Sequence, residues 1–245
     1  MDVPSEPFAD AVILAAGSST RMNGYDKLLM EIGGQPLFVH TMRAVAAATT
    51  VRRIVLVARA DRVELFAAMP FVRELDAMVV AGGERRQDSV ARGVAATSGE
   101  VILIHDGARA LIDPEVVDRV AHTARRHGAA VPVVAVPESM RRLQDGRIVE
   151  LIPRDDLYRS QTPHGARRDI LLATYAHHDP HGPTTFIDET TLVQAAGFTV
   201  TTVPGDPVNL KVTLPGDETL VIALLEARAR ADRHAGTARD PARLR

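Results

Sequence analysis

The sequence predicts an α/β protein whose mostly parallel sheet carries helices on both faces. Short apolar runs recur at Ala11–Ala16, Ile54–Ala58, Ala77–Val80, Val101–His105 and Ala129–Val136, each the length of a buried strand. Helical patterns fill most of the intervals between them, which is the alternation of a parallel sheet. Three polar, glycine-containing clusters follow directly on strand ends, where such sheets hold their ligands.

The elements can be justified in order. The first strand, Ala11–Ala16, breaks at Gly17 into Ser18-Ser19-Thr20-Arg21. Gly33-Gly34 and Pro36 make a turn before a helix at Leu37–Ala48. Further helical patterns occupy Asp61–Ala68, Asp88–Thr97 and Asp113–His127. The last of these opens with Asp113-Pro114, a capping residue followed by a proline suited to the first turn. After Val136 the pattern changes. Met140-Arg-Arg-Leu143 and Arg147-Ile-Val-Glu-Leu-Ile152 flank Gln144-Asp145-Gly146, and Asp-Gly is a strong hairpin signal. A hairpin this small has no core of its own and serves as a flap or as an arm gripping a second subunit. Pro204–Pro207 forms another turn before an expected strand at Leu210–Val212, and Asp217–Arg230 reads as a helix. One domain spanning 1–245 is expected, with the arm at about 137–158 and a disordered tail at about 232–245.

Bulk properties narrow the class. The 245 residues are 46% apolar and 24% charged, enough for one sizeable core in a soluble protein. A net charge of −2 argues against a nucleic-acid-coating role, which would need a basic face. The absence of cysteine excludes disulfides, thiolate metal sites and thiol nucleophiles. Met1–Asp10 lacks the pattern of a signal peptide, and no apolar run approaches the ~18 residues of a spanning helix. A cytoplasmic location with no membrane partner is expected.

Four clusters could carry chemistry. In the first, Gly17 permits a close backbone approach to a phosphate and the hydroxyls of Ser18, Ser19 and Thr20 add donors, with Arg21 and Lys27 to neutralise charge. No Gly-Lys-Ser/Thr closes the loop, so it is not a Walker loop; nor is it the three-glycine dinucleotide fingerprint. The second is Gly82-Gly83-Glu84-Arg-Arg-Gln-Asp-Ser89, whose glycines would let the backbone approach a flat or charged ligand, although taken alone a capped helix with a charged first turn is the simpler reading. The third, His105-Asp106-Gly107-Ala108-Arg109, sets a carboxylate beyond a central strand, where it could hold a hard divalent cation. The fourth places Lys211 within the apolar Leu210–Val212; it either faces an anion or guards a sheet edge. His177, His178 and His181 with Asp179 suggest a metal site, but a solvated polar loop is the simpler reading.

Together these clusters resemble one family over roughly Asp10 to Ala229. The carrying motifs are Leu14-Ala-Ala-Gly-Ser-Ser-Thr-Arg-Met22, Asp26-Lys27, Gly82-Gly-Glu-Arg, Asp88-Ser89, His105-Asp-Gly-Ala-Arg109, Gln161-Thr-Pro163 and Leu210-Lys-Val-Thr213. Their order and spacing are similar to those of the 2-C-methyl-D-erythritol 4-phosphate cytidylyltransferases, which use a Rossmann-like fold. The resemblance implies that CTP and a methylerythritol phosphate give the CDP-alcohol and pyrophosphate. It implies Arg21, Lys27 and Lys211 as catalytic cations and Asp106 as the holder of Mg²⁺. Ala15, Ala16, Gly17, Gly83, Glu84, Ser89, Asp106, Gly107 and Arg109 would form the nucleotide site. Ser139, Arg154, Thr162 and Asp188 would bind the polyol phosphate, Arg154 reaching in from the neighbouring subunit of a homodimer joined through the hairpin arm.

Three positions depart from the family pattern. Ser139 replaces a threonine, Asp26 stands where proline is usual, and Ile187 replaces a threonine that donates to the acceptor. Ile187 keeps open a second acceptor, such as ribitol 5-phosphate or a phosphonate. A non-catalytic nucleotide-binding homologue is a third reading, disfavoured by the joint presence of Arg21, Lys27, Asp106 and Lys211.

Overall fold

Strands alternate their side chains between two apolar layers, and that alternation organises the molecule. The computed structural model describes residues 6–17 and 26–238. Its twelve described strands are β1 Ala9–Ala15, β2 Glu31–Ile32, β3 Gln35–Pro36, β4 Val51–Ala58, β5 Met78–Ala81, β6 Val101–Asp106, β7 Ala129–Ala135, β8 Met140–Gln144, β9 Arg147–Ile152, β10 Tyr158–Ser160, β11 His164–Arg167 and β12 Thr201–Pro204. The described helices are α1 Leu37–Ala46, α2 Val63–Ala68, α3 Pro70–Glu74, α4 Arg86–Ala95, α5 Pro114–His127, α6 Arg168–His177, α7 Glu189–Ala195 and α8 Asp217–Ala238. The main sheet runs β10-β7-β11-β6-β1-β4-β5, with β12 paired to β7.

Ala11, Ile13, Leu56, Ala58 and Leu103 point to the layer formed with α1, α2, α3, α5 and α8. Val12, Val55, Val57, Ile102 and Ile104 point the other way, against α4, α6 and α7. Burial on both sides is why these strands read as unbroken apolar runs. Within the first layer Phe38 meets Phe66 edge to face, with ring centroids 4.8 Å apart. α5 begins as its sequence dictates: the Asp113 carboxylate accepts from Glu115 N at 2.8 Å and Pro114 occupies the first turn. Val116, Val117, Val120, Ala121 and Ala124 form its buried stripe.

The sheet is mostly parallel at its centre, as the sequence suggested, and antiparallel towards one side. β1 pairs in parallel with β4 and β6, and β4 with β5. β11, however, lies antiparallel to β6 and β7, and β10 antiparallel to β7. β10 and β11 carry Ser160 and Gly165 rather than a long apolar run, so they lack the strand signature. Leu210–Val212 forms no strand. Its backbone is engaged singly: Val212 N donates to Ala108 O, and Val212 O accepts from the Lys27 ammonium. The next amides, Thr213 N and Leu214 N, are taken by the Asp217 carboxylate. α8 continues through Ala238 rather than giving way to a tail near 232, and residues 239–245 lie outside the described ones.

The hairpin forms as expected. β8 and β9 pair antiparallel, with Gln144 opposite Arg147, and Asp145 and Gly146 turn between them at φ 48° and 75°. Such a turn needs positive φ at both positions, which favours Gly at the second. Leu143, Ile148, Val149 and Leu151 on this arm are all more than half exposed. Among the described residues no helix is long and apolar enough to cross a membrane.

One buried charge ties the sheet's lower edge together. Asp10 is fully buried and accepts from Ser98 N and Gly99 N at 2.7 Å and from Arg52 Nε at 2.8 Å. Burial alone would raise its pKa, but these donors outweigh it and hold the carboxyl below its ordinary 3.8. A group depressed in the folded state stabilises above its unfolded pKa and loses that contribution as pH falls through the folded value. Asp10→Asn should therefore destabilise the protein by about 2 kcal/mol at about pH 7, a value discounted for the partly exposed arginine. The gap from wild type, measured by denaturant unfolding, should shrink towards about pH 2. A gap that stays constant with pH would contradict this reading.

Candidate active site

The carboxyl ends of β1, β5 and β6 bring three of the four clusters to one rim. Ala15 ends β1, with Ala16 and Gly17 directly after it. Gly107 N donates back to Leu14 O at 3.0 Å, which ties the Asp106 turn to the first loop. Gly82 N donates to Ala58 O at 2.7 Å and ties in the second. Gly83 N donates to Ser89 Oγ at 3.0 Å, so the Ser89 hydroxyl shapes the glycine loop. A Cβ on Gly83 would stand 2.3 Å from Asp88 Cβ; only glycine permits that approach. Glu84 is exposed beside it.

Asp106 is the electrostatic centre. It is buried, yet Lys211 Nζ lies 2.8 Å from Oδ2, Arg109 Nε 3.4 Å from Oδ2, and Arg86 Nη2 3.7 Å from Oδ1. Burial would raise its pKa; the charges of Lys211, Arg86 and Arg109 reverse that and hold it far below the usual carboxylate range. Lys211 thus faces an anion, as one of its two sequence readings had it, but from an irregular segment rather than a strand. Lys27 opens a 3-10 turn capped by Asp26 and donates to Val212 O at 2.7 Å, which brings the two lysine segments together. Arg21, with Ser18, Ser19 and Thr20, lies outside the described residues.

Thr162 is placed differently from a side chain open to ligand. It is 3% exposed; its hydroxyl accepts from Asp106 N at 3.1 Å and lies 3.0 Å from His105 Nδ1. His105 is buried and neutral, its pKa pushed down to about 4 chiefly by burial. A neutral ring can accept the hydroxyl proton at Nδ1 and turn Nε2–H towards Arg109 O, 3.4 Å away. Thr162 and His105 so brace both ends of the Asp106–Arg109 turn.

Asp188 caps α7, accepting from Thr191 N at 2.9 Å and Thr190 Oγ1 at 2.7 Å. Ile187 beside it is 86% exposed. Ser139 and Arg154 sit exposed on the arm, where Arg154 donates to Pro137 O. Neither has a described contact with Asp106. The clustered histidines go to separate partners: His177 Nδ1 to Ala173 O, His178 to the Phe186 ring, His181 to Asp88.

Sequence reasoning missed Arg86, Glu189, His164 and Asn209. Arg86 stood inside the Gly82–Ser89 motif without a role, and Glu189 directly follows Asp188. Their pairing joins residues 103 positions apart, and no local pattern announces it. Asn209 bridges to Thr162 O through Nδ2 and takes Arg109 Nη1 on its own carbonyl, steadying the approach to Lys211.

The family model of 2-C-methyl-D-erythritol 4-phosphate cytidylyltransferase matches residues 9–227. The chain belongs to this family. A 2-C-methyl-D-erythritol 4-phosphate cytidylyltransferase of Frankia casuarinae is 39% identical over 226 residues, covering 90% of this chain and 82% of that one. One from Bacillus licheniformis is 36% identical over 227 residues, 90% and 97% of the two chains. The crystal structure of the cytidylyltransferase from Thermus thermophilus superposes with a TM-score of 0.73 at 30% identity, covering 88% of this chain and 98% of that one. The cytidylyltransferase fold and the Asp106 rim therefore coincide in one chain.

Proposed function

We infer that this protein transfers the cytidylyl group of CTP to 2-C-methyl-D-erythritol 4-phosphate, giving the CDP-alcohol and pyrophosphate, a step of isoprenoid biosynthesis. The observation that carries the reading is the cation-ringed Asp106 at the rim, in a chain matched by the family over residues 9–227. An acceptor phosphate oxygen attacks the α-phosphorus; the bond to the bridging oxygen breaks and pyrophosphate leaves. Both reactants are anionic, so the protein's work is alignment and neutralisation, with no protein nucleophile. Arg21 and Lys27 take the triphosphate, and Lys211 serves the α-phosphate and the attacking oxygen. Ala15, Ala16, Gly17, Gly107 and Arg109 line the nucleotide, and Gly83, Glu84 and Ser89 frame the cytosine. Asp188 and Thr162 lie on the acceptor side, Thr162 acting through the Asp106 turn.

Asp106 suits a divalent ion of the Mg²⁺ kind through Oδ1, from which Arg86 Nη2 stands off at 3.7 Å, while Oδ2 is engaged by Lys211 and Arg109. Among the described residues no three His, Asp or Glu side chains gather into a protein cage, whereas Asp106 offers one hard carboxylate beside the expected phosphates. Mg²⁺ is commonly held by one or two carboxylates together with substrate phosphates. When bound it would offset phosphate charge, with Asp106 as its protein ligand.

The arm supports a homodimer. Its apolar side chains, Ile148 at 66% and Leu143 at 61% exposed, form a surface that a lone two-stranded hairpin cannot cover. A second copy would cover them and carry Ser139 and Arg154 to the neighbour's acceptor. The reading keeps the cytoplasmic location expected from the sequence. Ribitol 5-phosphate and phosphonate acceptors are less favoured, because the relatives named above act on the methylerythritol phosphate and Ile187 alone speaks for another.

Pyrophosphate release with CTP, Mg²⁺ and methylerythritol phosphate tests the activity. Wild type should turn over, and Lys211→Ala should lose roughly 100-fold or more in kcat while remaining folded. No release by wild type, or near-normal kcat in the variant, contradicts the assignment. Ile148→Asp should shift sedimentation from dimer to monomer, and Arg154→Ala should raise KM for the acceptor more than for CTP. A wild-type monomer, or the reverse KM pattern, counts against the arm.

A further inference from the structure

Behind Asp106 stand three titratable side chains that the mechanism above leaves unused. Arg86, the first residue of α4, places Nη1 2.5 Å from Glu189 Oε1. Glu189, the first residue of α7, places its other oxygen 2.9 Å from His164 Nδ1 on β11. Glu189 and His164 are each 5% exposed, whereas the Arg86 side chain keeps about a third of its surface open. A carboxylate that deep is tolerated only when paired. Burial opposes its charge, and His164 and Arg86 together keep it ionised. The pair thus fixes one edge of a guanidinium whose other nitrogen is turned towards Asp106.

The surroundings say which half of the site this arginine belongs to. Its neighbours on the chain fasten the segment that leads into α7. Arg85 donates to Gly182 O and Pro180 O. Gln87 Nε2 donates to Pro180 O and Thr184 O, and its Oε1 accepts from Phe186 N. The first turn of α4 is therefore bonded on both sides of Arg86 to the segment that ends in Asp188. Its far side carries Ser89, which shapes the glycine loop on the nucleotide side. Arg86 sits at the joint between the two.

We propose that Arg86, anchored by Glu189 and backed by His164, is a positioning residue for the acceptor. It holds Asp106 and the Asp188–Glu189 helix start in one geometry, so that the acceptor phosphate meets Lys211 and the α-phosphorus in line. The proposal rests on the functional reading above and deepens it. Misplacing a reacting group by about 1 Å can cost roughly 100-fold in rate. The nucleotide base is held elsewhere, by the glycine loop, so the loss should fall far more heavily on the acceptor than on CTP.

Steady-state kinetics on the full protein, with CTP and acceptor varied separately, make the test. Arg86→Gln should lose roughly 100-fold in kcat/KM for the acceptor with KM for CTP within about threefold of wild type. Arg86→Lys restores the charge but not the two-pronged geometry, and should recover part of that loss. Glu189→Gln should show a smaller loss of the same selectivity. Acceptor kcat/KM near wild type in Arg86→Gln overturns the proposal. So does a parallel rise of both KM values with a lowered melting temperature that Arg86→Lys does not repair, the mark of a purely structural bridge. If Arg86→Gln does not fold, Arg86→Lys decides: a selective acceptor loss supports positioning, and wild-type kinetics refute it. Wild type inert with methylerythritol phosphate but active with another polyol phosphate fails the functional reading alone, and the variants are then compared on that acceptor. Wild type inert with every polyol phosphate overturns both.

Discussion

The Asp106 carboxylate is held out of water with three cations around it, Lys211 at 2.8 Å, Arg109 at 3.4 Å and Arg86 at 3.7 Å. Those cations come from three different parts of the chain: an irregular segment before α8, the turn after β6, and the start of α4. Each like-charged neighbour repels the others, and only a negative charge between them lets them share the rim. The carboxylate in turn could not stay ionised at that depth without them. Removing the cations would leave Asp106 uncompensated, and removing Asp106 would take from Lys211 and Arg109 the carboxylate they share, whereas Arg86 would keep Glu189. The same arrangement suits a reaction between two polyanions, since an array of cations held ready costs little reorganisation when phosphate enters.

The backbone supplies the fixed frame for this arrangement. Asp106 ends a strand buried on both faces, and its amide is bonded to Thr162, which is bonded in turn to His105. Gly107 is tied to Leu14 and Asn209 to Arg109, so the first loop, the Asp106 turn and the Lys211 segment are fastened in series. On the other side, Glu189 and His164 carry the tie to α7 and β11. The arm stands apart from this frame, with apolar side chains exposed, and is joined to the sheet at its base, as in Val136 N to Leu157 O.

Much of this was legible in the sequence where the signal is local. Asp113-Pro114 announces α5 by capping chemistry, and Asp145-Gly146 announces the hairpin by its φ requirement. Asp106 and Lys211 stood out as charges in apolar surroundings, and they do meet. What was not legible depends on distant pairing. The antiparallel β10 and β11 are too short and too small in side chain to show a strand pattern. Leu210–Val212 looked like a strand because apolar Leu210 and Val212 flank Lys211, but its backbone groups find single partners in Ala108 and Lys27 instead of a ladder. Thr162 read as a ligand contact by resemblance, whereas its hydroxyl is taken by the Asp106 amide and His105. The Arg86–Glu189 bridge belongs to tertiary structure alone.

The mutual dependence of Asp106 and its cations can be measured directly by a double-mutant cycle on unfolding free energy, using Asp106→Asn, Lys211→Met and the double variant. Lys211 is partly exposed, so the coupling should be modest but resolvable, at least ~0.5 kcal/mol, with the double variant less destabilised than the sum of the singles. Additivity within about 0.3 kcal/mol would mean that the two charges do not hold one another, and would contradict the account at its centre.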